Sequence, residues 1–141
     1  MGKVGIIGGS GLTRLSTLRV THREVMHTPF GEASAPLTHG ELEGLEVVFL
    51  PRHGPGHTIP PHKVNYRANI WALRHIGVDW VIGMAAVGGI TPRMAPGQIC
   101  VPDQILDYTW GRAHTFFESD LSQVTHIDFT EPYCEALRQA L

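Results

Sequence analysis

The chain has 141 residues, 43% hydrophobic, 17% charged and 8% aromatic, and a formal net charge of −2 from 11 basic and 13 acidic residues. That balance excludes disordered, collagen-like and low-complexity classes. It is also too neutral for a protein that coats nucleic acid by bulk electrostatics, and the length suits one domain or part of a larger one. Nine of the basic residues are arginine and only Lys3 and Lys63 are lysine, which favours bidentate grip on planar anions.

In chain order, the first feature is the run Val4-Gly5-Ile6-Ile7, followed by Gly8-Gly9-Ser10-Gly11. The run is too short for a signal segment or a membrane span. Similar runs occur at Val47–Leu50, Trp80–Ile82 and Ile99–Val101. Each is continuous rather than alternating and bounded by Gly or Pro, as expected of strands buried on both faces of a helix-covered sheet. Pro36 to Leu50, broken at Glu43-Gly44, reads as a hairpin, so a mixed sheet is predicted. A helix is predicted over Lys63 to Ile76, after Pro60-Pro61 and before Gly77. The order strand, helix, strand from Val47 to Met84 fits an α/β crossover. A last helix is expected from Glu131-Pro132 onward. No Gly, Asn or Pro closes it, so a piece of a longer protein is expected. Cys100 and Cys134 have no close-spaced partner, which favours a reducing compartment. A soluble intracellular chain is the expectation.

Three segments could carry chemistry. Gly8 to Gly11 offers backbone amides to an anion, and Ser10 adds a hydroxyl. The glycines at 5, 8, 9 and 11 break the dinucleotide-binding spacing, the P-loop lysine is absent, and Thr13 to Thr17 starts a helix poorly. A phosphate or sulfate cradle survives better. A tight turn remains the plainer alternative. Arg52 and His53 follow the second run, where α/β sheets gather ligands, and either alone would read as an ordinary loop residue. Ala85 to Ile90 follows the third run with small residues that admit a ligand to backbone. The three ends converge if their strands are parallel neighbours. His53, His57 and His62 are a weak metal pattern, because Gly54, Pro55 and Gly56 preclude a helix. Ser10 has no sequence-local base and no nucleophile elbow. Asp103, Asp107, Glu118 and Asp120 are scattered, as on a solvated surface.

Taken together, Gly5 to Leu12, Arg52-His53-Gly54, His57-Thr58-Ile59 through Leu73, Val87-Gly88-Gly89-Ile90 and Thr125 to Phe129 resemble one family along the whole chain. It is the purine nucleoside phosphorylases, in the branch acting on 5′-methylthioadenosine and S-methyl-5′-thioinosine. The stretch from Val101 to Thr109, with Gly111-Arg112, looks most like the bacterial methylthioinosine phosphorylases. The resemblance implies an α/β fold with a mixed sheet flanked by helices, residues 1–141 being the N-terminal portion of a single phosphorylase domain. It implies phosphorolysis of the N-glycosidic bond of S-methyl-5′-thioinosine, giving a purine and 5-methylthioribose 1-phosphate in nucleoside salvage. Methylthioadenosine or general purine nucleoside phosphorolysis, or an inactive phosphate-binding fragment, are the alternatives.

By the same resemblance, Ser10, Arg52, His53, Ala85 and Ala86 hold phosphate. Val87 and Gly88 line the purine pocket, and His126 reaches a neighbouring subunit's 5′-alkylthio group in a homotrimer. No metal or organic cofactor is implied, phosphate being the co-substrate; nucleic acid and membrane are not expected partners, and the location is cytoplasmic. The purine-handling group and the 6-oxo versus 6-amino choice are expected beyond Leu141, so the 141-residue chain alone is expected to be inactive. The family usually carries Ser, Thr or Asn where this chain has Ala85, so one donor near phosphate is missing.

Overall fold

The computed structural model describes residues 2–12, 14–119 and 121–141; Thr13 and Asp120, both touched by the sequence reading, lie outside them. The chain divides into two compact units, Met1–Ala86 and Val87–Leu141.

The first unit is built on a five-stranded mixed sheet. Its strands are β1 (Val4–Gly8), β2 (Arg19–Glu24), β5 (Leu37–Leu42), β6 (Leu45–Pro51) and β7 (Trp80–Gly83), in the order β2-β5-β6-β1-β7. The short strands β3 (His27–Thr28) and β4 (Gly31–Glu32) pair separately. β1 runs parallel to both β6 and β7, with Gly8 opposite Pro51 and Ile7 opposite Gly83. The predicted hairpin is present: β5 and β6 are antiparallel across Glu43-Gly44, with φ of 48° and 80°. Two positive φ values in a two-residue loop match the right-handed strand twist, and glycine meets the second without strain.

The sheet has two apolar faces. On one, Leu37, Val48 and Leu50 pack with Ala72, Leu73 and Val78; on the other, Val47 and Phe49 pack with Leu18. Helix α1 (Tyr66–His75) supplies Ala72 and Leu73 to the first face and bridges from β6 over β1 to β7. The second face is covered by Leu12, Leu15 and Leu18, outside any helix. The expectation of flanking helices is therefore met on one face. β7 corrects the reading of Trp80–Ile82 as doubly buried: it pairs only with β1, at the sheet edge, and Trp80 and Val81 are exposed.

The predicted helix over Lys63 to Ile76 is shorter than expected. A 3-10 turn spans Pro61–Lys63, the chain is extended at Val64, and α1 begins after Asn65. The Asn65 side chain accepts a hydrogen bond from Ala68 N at 3.1 Å and donates to Phe30 O at 2.7 Å. It thus satisfies one orphan helix donor and ties the helix start to the β3–β4 loop. Asn65→Ala is expected to lower stability by about 1–2 kcal/mol, a lost cap plus one hydrogen bond. Thermal unfolding checks this, and an unchanged Tm contradicts it.

The second unit holds one short helix, α2 (Glu135–Ala140), with Cys134 as N-cap. The helix expected from Glu131-Pro132 therefore starts four residues later. The predicted strand at Ile99–Val101 is not formed, and Ile99 is exposed. An apolar run becomes a strand only when a neighbour takes its N–H and C=O groups, and no strand is present among the described residues of this unit. None of those residues is buried. Among the described residues, no helix is long and apolar enough to cross a membrane.

Candidate active site

The parallel order β6-β1-β7 brings three carboxyl-terminal strand ends together. Gly8 to Gly11 follows β1, Arg52-His53 follows β6, and Met84-Ala85-Ala86 follows β7. Backbone bonds stitch these ends to one another. Arg52 N donates to Gly8 O at 3.0 Å and Met84 N donates to Ile7 O at 2.9 Å.

Arg52 occupies the junction. Its Nη1 donates to Met84 O at 2.6 Å and its Nε donates to Nε2 of His53 at 3.2 Å. His53 is buried, and its Nδ1 donates to Ile59 O at 2.8 Å. Both ring nitrogens of His53 are thus engaged, with the proton on Nδ1. In this arrangement His53 accepts from Arg52 and donates to Ile59 O. The guanidinium has five N–H donors; two make these bonds, which leaves a planar edge for an oxyanion.

The guanidinium lies over Gly9. A Cβ at Gly9 would sit 2.6 Å from Arg52 Cζ, so glycine lets the arginine lie flat on the turn. Gly8 is tight for another reason: a Cβ there would meet the Leu12 carbonyl oxygen and the Phe49 ring, the latter at 2.8 Å. The two glycines predict different phenotypes. Gly9→Ala displaces a flexible side-chain end, so we expect phosphate affinity to fall about tenfold, one charge-assisted bond, with Tm nearly unchanged. Gly8→Ala collides with backbone and lowers Tm instead. Calorimetric titration with phosphate beside thermal melts separates them, and equal Tm losses contradict the assignment.

Ser10 is exposed at the tip of the turn, and its Oγ lies 3.5 Å from Nε2 of His57. His57 itself holds φ of 53° and its ring sits 4.8 Å from that of His53, tilted by 55°. Ala85 and Ala86 are exposed, directly after the carbonyl that receives Arg52. Val87, Gly88 and His126 belong to the second unit, where all three are exposed. Two residues beyond His126, Asp128 Oδ1 accepts from Thr130 N at 2.9 Å and Thr130 Oγ1 at 2.7 Å. These bonds hold the Asp128 carboxyl below its usual range and fix that turn.

A cleft of about 350 Å³ opens within the first unit, lined by Ile7, Arg52, Tyr66, Asn69, Ile70 and Gly83. Its lining combines Ile7 of β1 and Gly83 of β7 with Tyr66, Asn69 and Ile70 of α1. The sequence reading missed Tyr66, Asn69 and Ile70 as cleft residues. Asn69 is buried, accepts from Ser34 N at 2.8 Å and donates to Ser34 Oγ at 3.0 Å. A polar residue in an apolar helix stretch was the signal for it.

These features define an α/β protein in which Arg52 stands where three parallel strand ends meet. A family model described as the phosphorylase superfamily matches residues 3–141, and the chain belongs to that family. It is 54% identical over 136 residues to a probable S-methyl-5′-thioinosine phosphorylase from Pseudomonas syringae pv. tomato, covering 96% of this chain and 55% of the relative. It is 50% identical over 138 residues to an S-methyl-5′-thioadenosine phosphorylase from Hyperthermus butylicus, covering 98% of this chain and 50% of that protein. A 6-oxopurine nucleoside phosphorylase from Pyrococcus furiosus is 46% identical over 146 residues, with 100% and 54% covered. The structure superposes on methylthioadenosine phosphorylase from Schistosoma mansoni, solved with adenine, with a TM-score of 0.92 at 42% identity, covering 99% of this chain and 51% of that one. The fold is therefore that of the nucleoside phosphorylases. The chain spans about half the length of the relatives it matches.

Proposed function

We propose that the chain carries the phosphate-holding portion of a purine nucleoside phosphorylase acting on S-methyl-5′-thioinosine. The observation that carries the reading is Arg52, fixed by His53 and Met84 O at the meeting of three parallel strand ends. Phosphate held there would attack the ribose anomeric carbon as the bond to the purine breaks. Its negative charge stabilises the oxocarbenium-like transition state, so its placement sets the rate. Arg52, Ser10 and the amides of the Gly8–Gly11 turn are the proposed phosphate ligands, with Ala85 and Ala86 forming the adjacent wall. His53 acts through Arg52. Val87 and Gly88 are proposed to line the purine pocket. His126 is proposed to serve a neighbouring subunit of a homotrimer. The cleft volume falls in the range of small-molecule sites. Phosphate is the co-substrate, and the reaction as proposed uses no cofactor. A cytoplasmic location belongs to the same reading.

Residues 1–141 are proposed to be the N-terminal portion of one phosphorylase domain. The purine-handling groups then lie in the half of the relatives' length that this chain does not span. The 141 residues alone are expected to release no purine. The names of the relatives divide between methylthioinosine, methylthioadenosine and 6-oxopurine substrates. The 54% identity to a methylthioinosine enzyme supports the first, and methylthioadenosine is the second reading. Rates of phosphate-dependent purine release from the three nucleosides decide among them. Fastest release from methylthioadenosine or inosine refutes the finer assignment.

Ala85 adds a local test. Ala85→Thr restores a hydroxyl beside the strand end. We expect the phosphate KM to fall about tenfold or more, one bond to a charged group being worth about 1.5–3 kcal/mol. An unchanged KM in the active enzyme contradicts this placement of Ala85.

A further inference from the structure

At the sheet edge remote from β7, β2 stands last in the strand order and pairs with β5. Their register sets His22 opposite His39, and Glu24 follows two residues after His22. By strand alternation the three side chains share one face of the sheet. The two imidazoles lie face to face, 4.2 Å between centroids and 13° from parallel. His39 is 8% exposed, whereas His22, stacked on it from β2, is exposed. The buried Nε2 of His39 lies 3.1 Å from Glu24 Oε2, an ion-pair distance outside hydrogen-bond geometry.

This arrangement accommodates one positive charge better than two. A proton on His39 meets the Glu24 carboxylate. Protons on both rings would put like charges 4.2 Å apart across the stack, where each disfavours the other. Burial first, and then His22, pulls His39 below the ordinary histidine range, while Glu24 opposes this. Lys3, ahead of β1, also disfavours a proton on His39. Its Nζ lies 3.0 Å from Glu46 Oε1 of β6 and donates to Ile76 O, just beyond α1, at 3.0 Å. Glu41 of β5 is paired with Arg19 of β2. On α1, which covers this face, His75 is stacked on Trp71 at 4.5 Å.

We propose that the His22–His39 stack is a pH-sensitive latch: with at most one proton on the pair it closes β2 onto β5, and a second proton opens that edge. The direction follows from linkage. When β2 lifts, His39 reaches water and takes up a proton near the ordinary histidine value of about 6.5. While β2 is closed, His39 resists that proton. Above about pH 6.5 it is neutral in both forms and the latch stays closed. As pH falls below that value the open form binds the extra proton, so acid favours opening, by at most about tenfold per pH unit for one proton. An edge strand is the part of a sheet that can open by itself.

Amide hydrogen exchange of the purified protein tests this, with rates corrected for the intrinsic pH dependence of exchange. Opening of β2, residues 19–24, is expected to rise about three- to tenfold from pH 7.5 to pH 5.5, while β1 and β6 change less than about twofold. His39→Gln removes the buried titrating ring and is expected to flatten the β2 profile. His22→Phe keeps a ring for the stack without its charge and is expected to reduce the rise. Glu24→Gln removes the opposing carboxylate and is expected to enlarge it. A variant that merely weakens the edge would speed opening equally at both pH values. A flat β2 profile in the unmodified protein, equal acceleration of all three strands, or a slope that survives His39→Gln overturns the proposal. If His39→Gln does not fold, His22→Phe decides, since it changes an exposed side chain; an undiminished rise there overturns it.

Discussion

Arg52→Ala is expected to reduce kcat/KM for phosphate about 100-fold or more. Two charge-assisted bonds to the dianion, at about 1.5–3 kcal/mol each, give that magnitude. Little of the fold depends on Arg52. It is half-buried, and its bonds to His53 and Met84 O join loops rather than core. Tm should therefore move much less than activity. Arg52→Lys is the sharper variant, since it retains charge and loses the fork. An ammonium cannot reproduce the planar arrangement that meets His53 Nε2 and Met84 O while presenting a flat edge to phosphate. Lysine is expected to recover only a small part of the lost activity. Full recovery would mean that charge alone matters, and the orienting role of His53 would fall with it.

The largest effect on stability is expected at Leu73. It is fully buried between the sheet and α1, in the cluster with Leu37, Val48, Leu50, Ala72 and Val78. A Cβ at Gly5 would lie 3.4 Å from Leu73 Cδ2, so the helix rests directly on β1. Leu73→Ala removes three buried carbons and leaves a cavity, a loss of about 2–5 kcal/mol. That is a large share of the roughly 5–15 kcal/mol by which domains are stable. The same helix presents Tyr66, Asn69 and Ile70 to the cleft. Leu73→Met conserves volume and should cost less than about 1.5 kcal/mol. Urea unfolding measures both, through a shift of midpoint at constant slope. A loss below 1 kcal/mol for Leu73→Ala would contradict the packing described.

The legible parts of the fold were those set by local chemistry. Val4–Ile7 and Val47–Leu50 read as strands because their apolar runs are continuous, and Glu43-Gly44 marked the hairpin because few residues tolerate its backbone. The convergence of Gly8–Gly11, Arg52 and Ala85 rested on one topological condition, parallel neighbouring strands, which β6-β1-β7 meets. What escaped was non-local. β2, rich in Thr, His and Arg, carries little apolar signal and is held by pairing with β5. The stacking of His22 on His39 depends on that register and could not be seen from spacing. Ile99–Val101 had the composition of a strand, but no strand stands among the described residues of its unit to pair with it. His53 read as a second ligand donor, and its bonds to Arg52 Nε and Ile59 O are what spacing could not show. Asn65 sat inside a helical pattern whose true start its own side chain defines.

Phosphorus-31 NMR of the enzyme from its native source, incubated with methylthioinosine and inorganic phosphate, tests the central claim most directly. Conversion of inorganic phosphate to 5-methylthioribose 1-phosphate, in step with hypoxanthine release and absent without phosphate, is the predicted result. Hypoxanthine released at the same rate without phosphate, leaving the inorganic phosphate signal unchanged, would contradict it.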